Sequence, residues 1–361
     1  MKNITQLFRK DLIDFKPYST ASSLAQISKE IKIPMEQILK LDAGENPYIE
    51  KMLSKEILKK TLFYLYPDPL SIELRKALSK YTKANTDMIA CFNGSDEALD
   101  FIVRLFVSNQ DEVITASPTF PMYEFYTKLS GGKIKMVLRN DDLSINVENI
   151  LKAVNAKTKI IFIDTPGNPT GAITKISDIE KILKKGVVLV CDEAYFEFCG
   201  QTAQGLLNKY PNLIIVRTLS KWTGLAALRV GYVLADPRII EKLLAIKSPY
   251  NVTSVSQNMS IEVLKNPNRF LKELKEMISL RDEFVKRLKQ FPNLKVFPTQ
   301  GAYIVVQPKK DVKKVQQFLK SKGILVRLVN QPLIENSLRI NICRKKEMEA
   351  VIEAFKDYYT N

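Results

Sequence analysis

Thr218-Leu219-Ser220-Lys221-Trp222-Thr223-Gly224-Leu225-Ala226-Ala227-Leu228-Arg229-Val230-Gly231 follows an apolar run, residues 213–216, that reads as a buried strand. A hydroxyl, a lysine and an arginine therefore stand where a strand gives way to a loop. An amine desolvated by apolar neighbours loses proton affinity and becomes a nucleophile able to form a Schiff base. Thr218, Ser220 and Arg229 suit an anion held beside it. An isolated Ser-Lys pair at a strand end is an ordinary surface feature, so its meaning depends on what lies upstream.

Two other strand ends share its character. Thr165-Pro166-Gly167-Asn168-Pro169-Thr170-Gly171 follows a strand expected over 159–163, and Asp192-Glu193-Ala194-Tyr195 follows one over 187–191. Asn168 precedes Asp192 by 24 residues, Asp192 precedes Lys221 by 29, and Lys221 precedes Arg229 by 8. Further strands are expected over 88–91, 112–115, 133–138 and 230–234, with helices between many of them, among them 72–81 and 98–107. Continuous apolar strands alternating with helices predict an α/β fold with a mostly parallel seven-stranded sheet covered on both faces. Ligands of such sheets bind at the carboxyl ends of the strands, where all three motifs stand. Asn93-Gly94-Ser95-Asp96-Glu97 adds a turn into a helix, whose first N–H groups form an anion site.

Past Pro249 the pattern changes. A helical region over 256–290, broken at Asn266-Pro267, leads into strands expected over 294–297, 302–306, 324–327 and 337–342, with helices over 312–319 and 347–355. The chain thus divides into an N-terminal arm and helix (1–45), a large domain (46–255) and a smaller C-terminal α/β domain (256–361) that carries Arg327 and Arg339.

The composition narrows the chemistry. The chain has 361 residues, 45% apolar and 26% charged, which fits a soluble globular protein of two domains. No apolar run approaches the roughly 20 residues of a membrane helix, and residues 1–16 lack a signal-peptide core, so the expected location is cytoplasmic, away from membranes. Cys91, Cys191, Cys199 and Cys343 have no metal-site or disulfide spacing. Histidine is absent altogether. That excludes Ser-His and Cys-His catalysis and histidine metal sites, leaving Lys, Tyr, Asp, Glu and Cys for proton transfer and favouring a cofactor over a metal. The net charge of +16, 55 basic minus 39 acidic residues, is spread over helical segments and alternates with acids. Such a pattern reads as solvated helix faces with a preference for small anions, and not as a nucleic-acid surface.

Together these motifs resemble the class I and II aminotransferases of pyridoxal-phosphate fold type I, and among them the histidinol-phosphate aminotransferases. The resemblance runs from Pro17-Tyr18 through Glu45-Asn46-Pro47, Tyr66-Pro67-Asp68-Pro69, Gly94-Ser95-Asp96-Glu97, Pro118-Thr119-Phe120, Asn168-Pro169-Thr170-Gly171, Asp192-Glu193-Ala194-Tyr195 and Ser220-Lys221 with Arg229 to Leu338-Arg339-Ile340. It implies pyridoxal 5′-phosphate as cofactor, with Lys221 as the covalent anchor and proton shuttle. Asp192 would keep the pyridine nitrogen protonated, Tyr195 and Asn168 would bond the phenolic oxygen, and Phe120 would stack on the ring. The backbone N–H groups of Ser95 and Asp96, with Thr218, Ser220 and Arg229, would hold the phosphate, joined by Tyr66 from the other subunit of a homodimer. Tyr18, Asn46, Arg327 and Arg339 would contact the substrate, an amino donor exchanged with a 2-oxo acid.

Three activities fit that cofactor set: transamination of histidinol phosphate with 2-oxoglutarate, decarboxylation of a phosphorylated amino acid, and transamination of aromatic or broader amino acids. Gly44, Gly167, Trp222 and Gly301-Ala302-Tyr303 depart from the usual histidinol-phosphate pattern. These departures bear on the amino donor and leave the cofactor chemistry intact.

Overall fold

The computed structural model describes residues 9, 12, 14–16, 23–47 and 55–360. Its strands are β1 (Leu39–Lys40), β2 (Ile89–Asn93), β3 (Glu112–Ser117), β4 (Lys133–Leu138), β5 (Thr158–Asp164), β6 (Val188–Asp192), β7 (Leu213–Thr218) and β8 (Val230–Ala235) in the first part of the chain. The second part adds β9 (Leu294–Val296), β10 (Tyr303–Pro308), β11 (Ile324–Leu325), β12 (Arg327–Val329) and β13 (Ser337–Asn341).

Strands β2 to β8 form the expected sheet, in the order β2-β8-β7-β6-β5-β3-β4, parallel except for the reversed β8. Successive side chains of a strand point to opposite faces, and here both faces are covered. Leu189 and Cys191 of β6 join one buried cluster with Leu74 and Leu78 of the helix Ile72–Thr82. Val190, between them, joins another with Ala98, Leu99, Ile102 and Val103 of the helix Gly94–Phe106 and with Ile240 and Leu243 of Pro237–Ile246. Two apolar faces explain why these strands read as unbroken hydrophobic runs.

The helix expected over 98–107 begins four residues earlier, at Gly94. Glu97 stabilises that start by accepting the Asn93 N–H at 2.6 Å. Ser95 and Asp96 therefore lie in the first turn, where backbone N–H groups have no partner within the helix.

The smaller sheet runs β12-β13-β10-β9, all antiparallel. The segment expected as one strand over 324–327 is divided at Val326. Ile324 and Leu325 pair in parallel with Leu39 and Lys40, whereas β12 turns onto β13. Asn266 separates the helices Ser254–Lys265 and Pro267–Leu288, where a proline at the first position fits because that N–H needs no partner. No helix among the described residues is long and apolar enough to cross a membrane.

Candidate active site

Asp164, Asp192 and Thr218 are the last residues of β5, β6 and β7, and all three line a cavity of about 860 Å³ between the two sheets' loops. The same cavity is lined by Ser95, Asp96, Phe120, Asn168, Tyr195, Ser220, Lys221, Arg229, Arg327 and Arg339, so most of the residues singled out from sequence converge. No group of three or more potential metal-binding side chains occurs among the described residues.

At one end lies an anion cradle. Thr218 Oγ1 donates to Ser220 Oγ at 2.9 Å, and Arg229 Nη1 donates to the same hydroxyl at 3.3 Å. Arg229 Nη2 also reaches Asp96 Oδ2 at 3.2 Å, beside the N-terminal turn of the helix from Gly94. Gly94 has φ +82°, and a Cβ there would sit 2.4 Å from Arg229 Nη2. A side chain at position 94 would displace the guanidinium. Arg229 itself adopts φ +50°, a left-handed conformation that a non-glycine residue keeps only when its surroundings impose it.

Lys221 and Asp192 occupy the middle. Lys221 Nζ lies 3.4 Å from the carbonyl oxygens of Ala43 and Gly44 and 5.6 Å from the centre of the Tyr195 ring. A Cβ at Gly44 would come within 2.9 Å of that Nζ and 3.2 Å of Tyr195 Oη, so the bare glycine leaves both reactive groups accessible. Asp192 Oδ1 accepts the Ala194 N–H at 3.0 Å, and Oδ2 accepts the Tyr123 hydroxyl at 2.8 Å. Burial pushes the Asp192 carboxyl up to about 7, while those two hydrogen bonds act the other way. A carboxylate in this state gains most from a cationic N–H partner brought in by a ligand.

The smaller sheet also contributes to the wall, through Arg327 to Gln331 and Arg339. Arg339 Nη1 donates to Asn168 Oδ1 at 2.8 Å and Nη2 to the Asp42 carbonyl at 2.8 Å, while its buried Nε has no partner among the described residues. With Oδ1 taken by Arg339, the Asn168 amide nitrogen is the group it can offer a ligand. An anion cradle, a planar Phe120 wall, a buried carboxyl and a lysine fit a ring that carries a phosphate on one side and a basic nitrogen on the other. They fit pyridoxal 5′-phosphate.

Some expected residues lie elsewhere. Asn46, expected at the substrate, is buried outside the cavity lining and donates to the Lys221 and Trp222 carbonyls at 3.1 and 3.3 Å, which places it behind the lysine. Tyr66 is 81% exposed and stacked on Tyr250 at 4.6 Å, outside this chain's cavity. Tyr18 lies outside the described residues. Trp222 is buried and stacks on Tyr81 at 5.1 Å, forming a core wall behind Lys221. Tyr123, Asp164 and Gln331 line the cavity without having been singled out. Three-residue spacing from Phe120 was the signal available for Tyr123, and position at a strand end the signal for Asp164.

A model of the aminotransferase class I and II family matches residues 36–355. A histidinol-phosphate aminotransferase of Dehalococcoides mccartyi is 40% identical over 356 residues, 98% of each chain. Among solved structures, histidinol-phosphate aminotransferase from Sinorhizobium meliloti in complex with pyridoxal-5′-phosphate gives a TM-score of 0.82 at 23% identity, covering 96% of this chain and 98% of that one. L-threonine-O-3-phosphate decarboxylase from Porphyromonas gingivalis gives 0.79 at 20% identity, covering 90% and 100%. At these identities the two structures speak for the fold alone.

Proposed function

The chain belongs to the class I and II aminotransferases and is a pyridoxal 5′-phosphate-dependent transaminase, and from that premise we propose that its amino donor is histidinol phosphate, exchanged with 2-oxoglutarate to give imidazole acetol phosphate and glutamate. The observation that carries the reading is a second cationic pair, Arg327 and Arg339 of neighbouring strands β12 and β13, on the lining of the cavity that also holds the anion cradle. A cofactor phosphate at the cradle leaves this second cationic group for the substrate's own anion. Full-length similarity to curated histidinol-phosphate aminotransferases supports the same donor.

When bound, the cofactor would supply an electron-accepting ring. In this reading Asp192, held by Tyr123 and the Ala194 N–H, would keep a proton on the ring nitrogen. Tyr195 and the Asn168 amide would bond the ring's oxygen, and Phe120 would stack on the ring. Lys221 Nζ would be the cofactor's covalent anchor and, as a free amine, the base for the proton on the substrate's alpha carbon. The backbone N–H groups of Ser95 and Asp96 would hold the phosphate, with Thr218, Ser220 and Arg229.

The active unit in this proposal is a homodimer. Leu62, Phe63, Tyr64, Leu65 and Tyr66 are exposed consecutively, an apolar stretch that a second copy of the chain would cover. Tyr66 would then reach the partner's phosphate. The four unpaired cysteines support a reducing, cytoplasmic setting.

Supplying histidinol phosphate with 2-oxoglutarate and following glutamate tests the donor. A decarboxylase on the same fold would release carbon dioxide from a phosphorylated amino acid, and an aromatic or broad-range transaminase would form glutamate equally well from unphosphorylated donors.

A further inference from the structure

The loop after β12 carries Gln331, half-buried on the cavity lining. Its side-chain amide engages one residue of the large domain twice. Gln331 Oε1 accepts the Thr119 N–H at 2.9 Å, and Nε2 donates to the Thr119 carbonyl at 3.1 Å. Because a backbone N–H only donates and a carbonyl only accepts, Thr119 itself fixes which end of the amide is oxygen. An amide is suited to this double role because it carries a donor and an acceptor side by side.

Thr119 is tied from a third side. Its hydroxyl donates to Asp164 Oδ2 at 3.2 Å, and the same oxygen accepts the Asn168 N–H at 2.8 Å. The other Asp164 oxygen is paired with buried Arg139, whose Nε donates to the Pro118 carbonyl at 2.9 Å. Asn168 in turn accepts from Arg339 of β13. Since β12 and β13 are hydrogen-bonded neighbours, the path from Arg339 through Asn168, Asp164, Thr119 and Gln331 returns to the sheet where it began. This closed circuit crosses between the domains twice.

We infer that Gln331 is a positioning residue, an interdomain clasp that couples closure of the small domain to the loop bearing Phe120. The two bonds form only when the loop after β12 lies against Thr119, and a separation of about 1 Å would take both beyond hydrogen-bonding range. On the large-domain side, Arg139 and Asp164 hold the Phe120 loop whether or not the clasp is made. The clasp therefore sets how often Arg327 and Arg339 stand at their working distance from that wall, and apparent substrate affinity falls with the closed fraction. Gln331 acts through Thr119 and needs no contact with reacting atoms. The inference rests on the chain being a transaminase and not on which amine it uses.

The test compares Gln331→Ala and Gln331→Glu holoenzymes with the parent, using whichever amino donor the parent turns over. Glutamate keeps the shape and the acceptor but turns an oxygen onto the Thr119 carbonyl. Both variants should raise the donor KM about tenfold, with kcat within about twofold, by lowering the closed fraction. Amide hydrogen exchange at residues 119–120, which needs no substrate, should accelerate about tenfold or more as local opening becomes easier. The cofactor's visible band and the melting temperature should stay unchanged. Unchanged KM and unchanged exchange in both variants would overturn the clasp, as would a joint shift of kcat, visible band and melting temperature. Failure of the histidinol phosphate assignment would instead appear in the parent enzyme's own donor preference.

Discussion

Arg327 and Arg339 stand opposite each other in the antiparallel register of β12 and β13, and both line the cavity. Like charges directly opposite on a ladder repel, and an anion bound between them would offset that repulsion. A phosphate monoester carries nearly two negative charges and several acceptor oxygens, more than a single arginine satisfies. Arg327→Ala should therefore cost phosphorylated amines about 2 to 5 kcal/mol in kcat/KM, the loss typical of truncating one partner of a buried charge pair. Unphosphorylated amino acids should lose little. Steady-state kinetics on matched donors with and without phosphate check this, and equal small losses would detach Arg327 from substrate recognition.

Asp192 gives a pH signature in the cofactor-free protein. Burial raises its carboxyl to about 7, whereas an unfolded aspartate titrates near 3.9. The folded state thus binds the proton more tightly, so its advantage is complete below about pH 4 and is lost as pH rises through about 7. Asp192→Asn removes that dependence. Without cofactor the variant should gain stability relative to the parent between pH 4 and 7, on the order of a few kcal/mol by the end of the window. It should also bind the cofactor more weakly. Thermal unfolding across pH 4 to 8 measures the difference, and a difference that does not vary with pH would argue against a desolvated carboxyl.

The stretch from Leu62 to Tyr66 makes assembly testable. Phe63 and Tyr64 are 72% and 83% exposed, so a charge at Phe63 should be harmless in a monomer and disruptive in a dimer. Light scattering should give the mass of two chains for the parent and of one for Phe63→Glu. Tyr66→Phe should stay dimeric but lose roughly tenfold in cofactor affinity, the worth of one hydrogen bond to a charged group. A fully active monomer would contradict the proposed assembly.

Much of this was legible because the chemistry sits where apolar strands end. Asp192 and Thr218 terminate β6 and β7, Asn168 and Lys221 follow close behind, and the runs before them could only be strands buried on both faces. Local sequence carries little about partners distant along the chain. Tyr123 reaches Asp192 across 69 positions, and Gln331 reaches Thr119 across 212. Both contacts depend on how helices and domains pack, which no periodicity records. Residues 324–327 read as one strand because their apolar pattern is continuous. Their division at Val326 follows from two different partners, β1 and β13. Asn46 followed the same logic: its place in a turn suggested a ligand contact, while its amide lies on the backbone of Lys221 and Trp222.

The most direct measurement is borohydride reduction of the yellow holoenzyme followed by peptide mapping. The visible band should be lost, with the cofactor fixed to the peptide containing Lys221, the cavity's lysine, whose Nζ faces the Ala43 and Gly44 carbonyls. Lys221→Ala should remain folded, take no label and lose turnover. A label on another lysine, or substantial turnover by Lys221→Ala, would contradict the site described here.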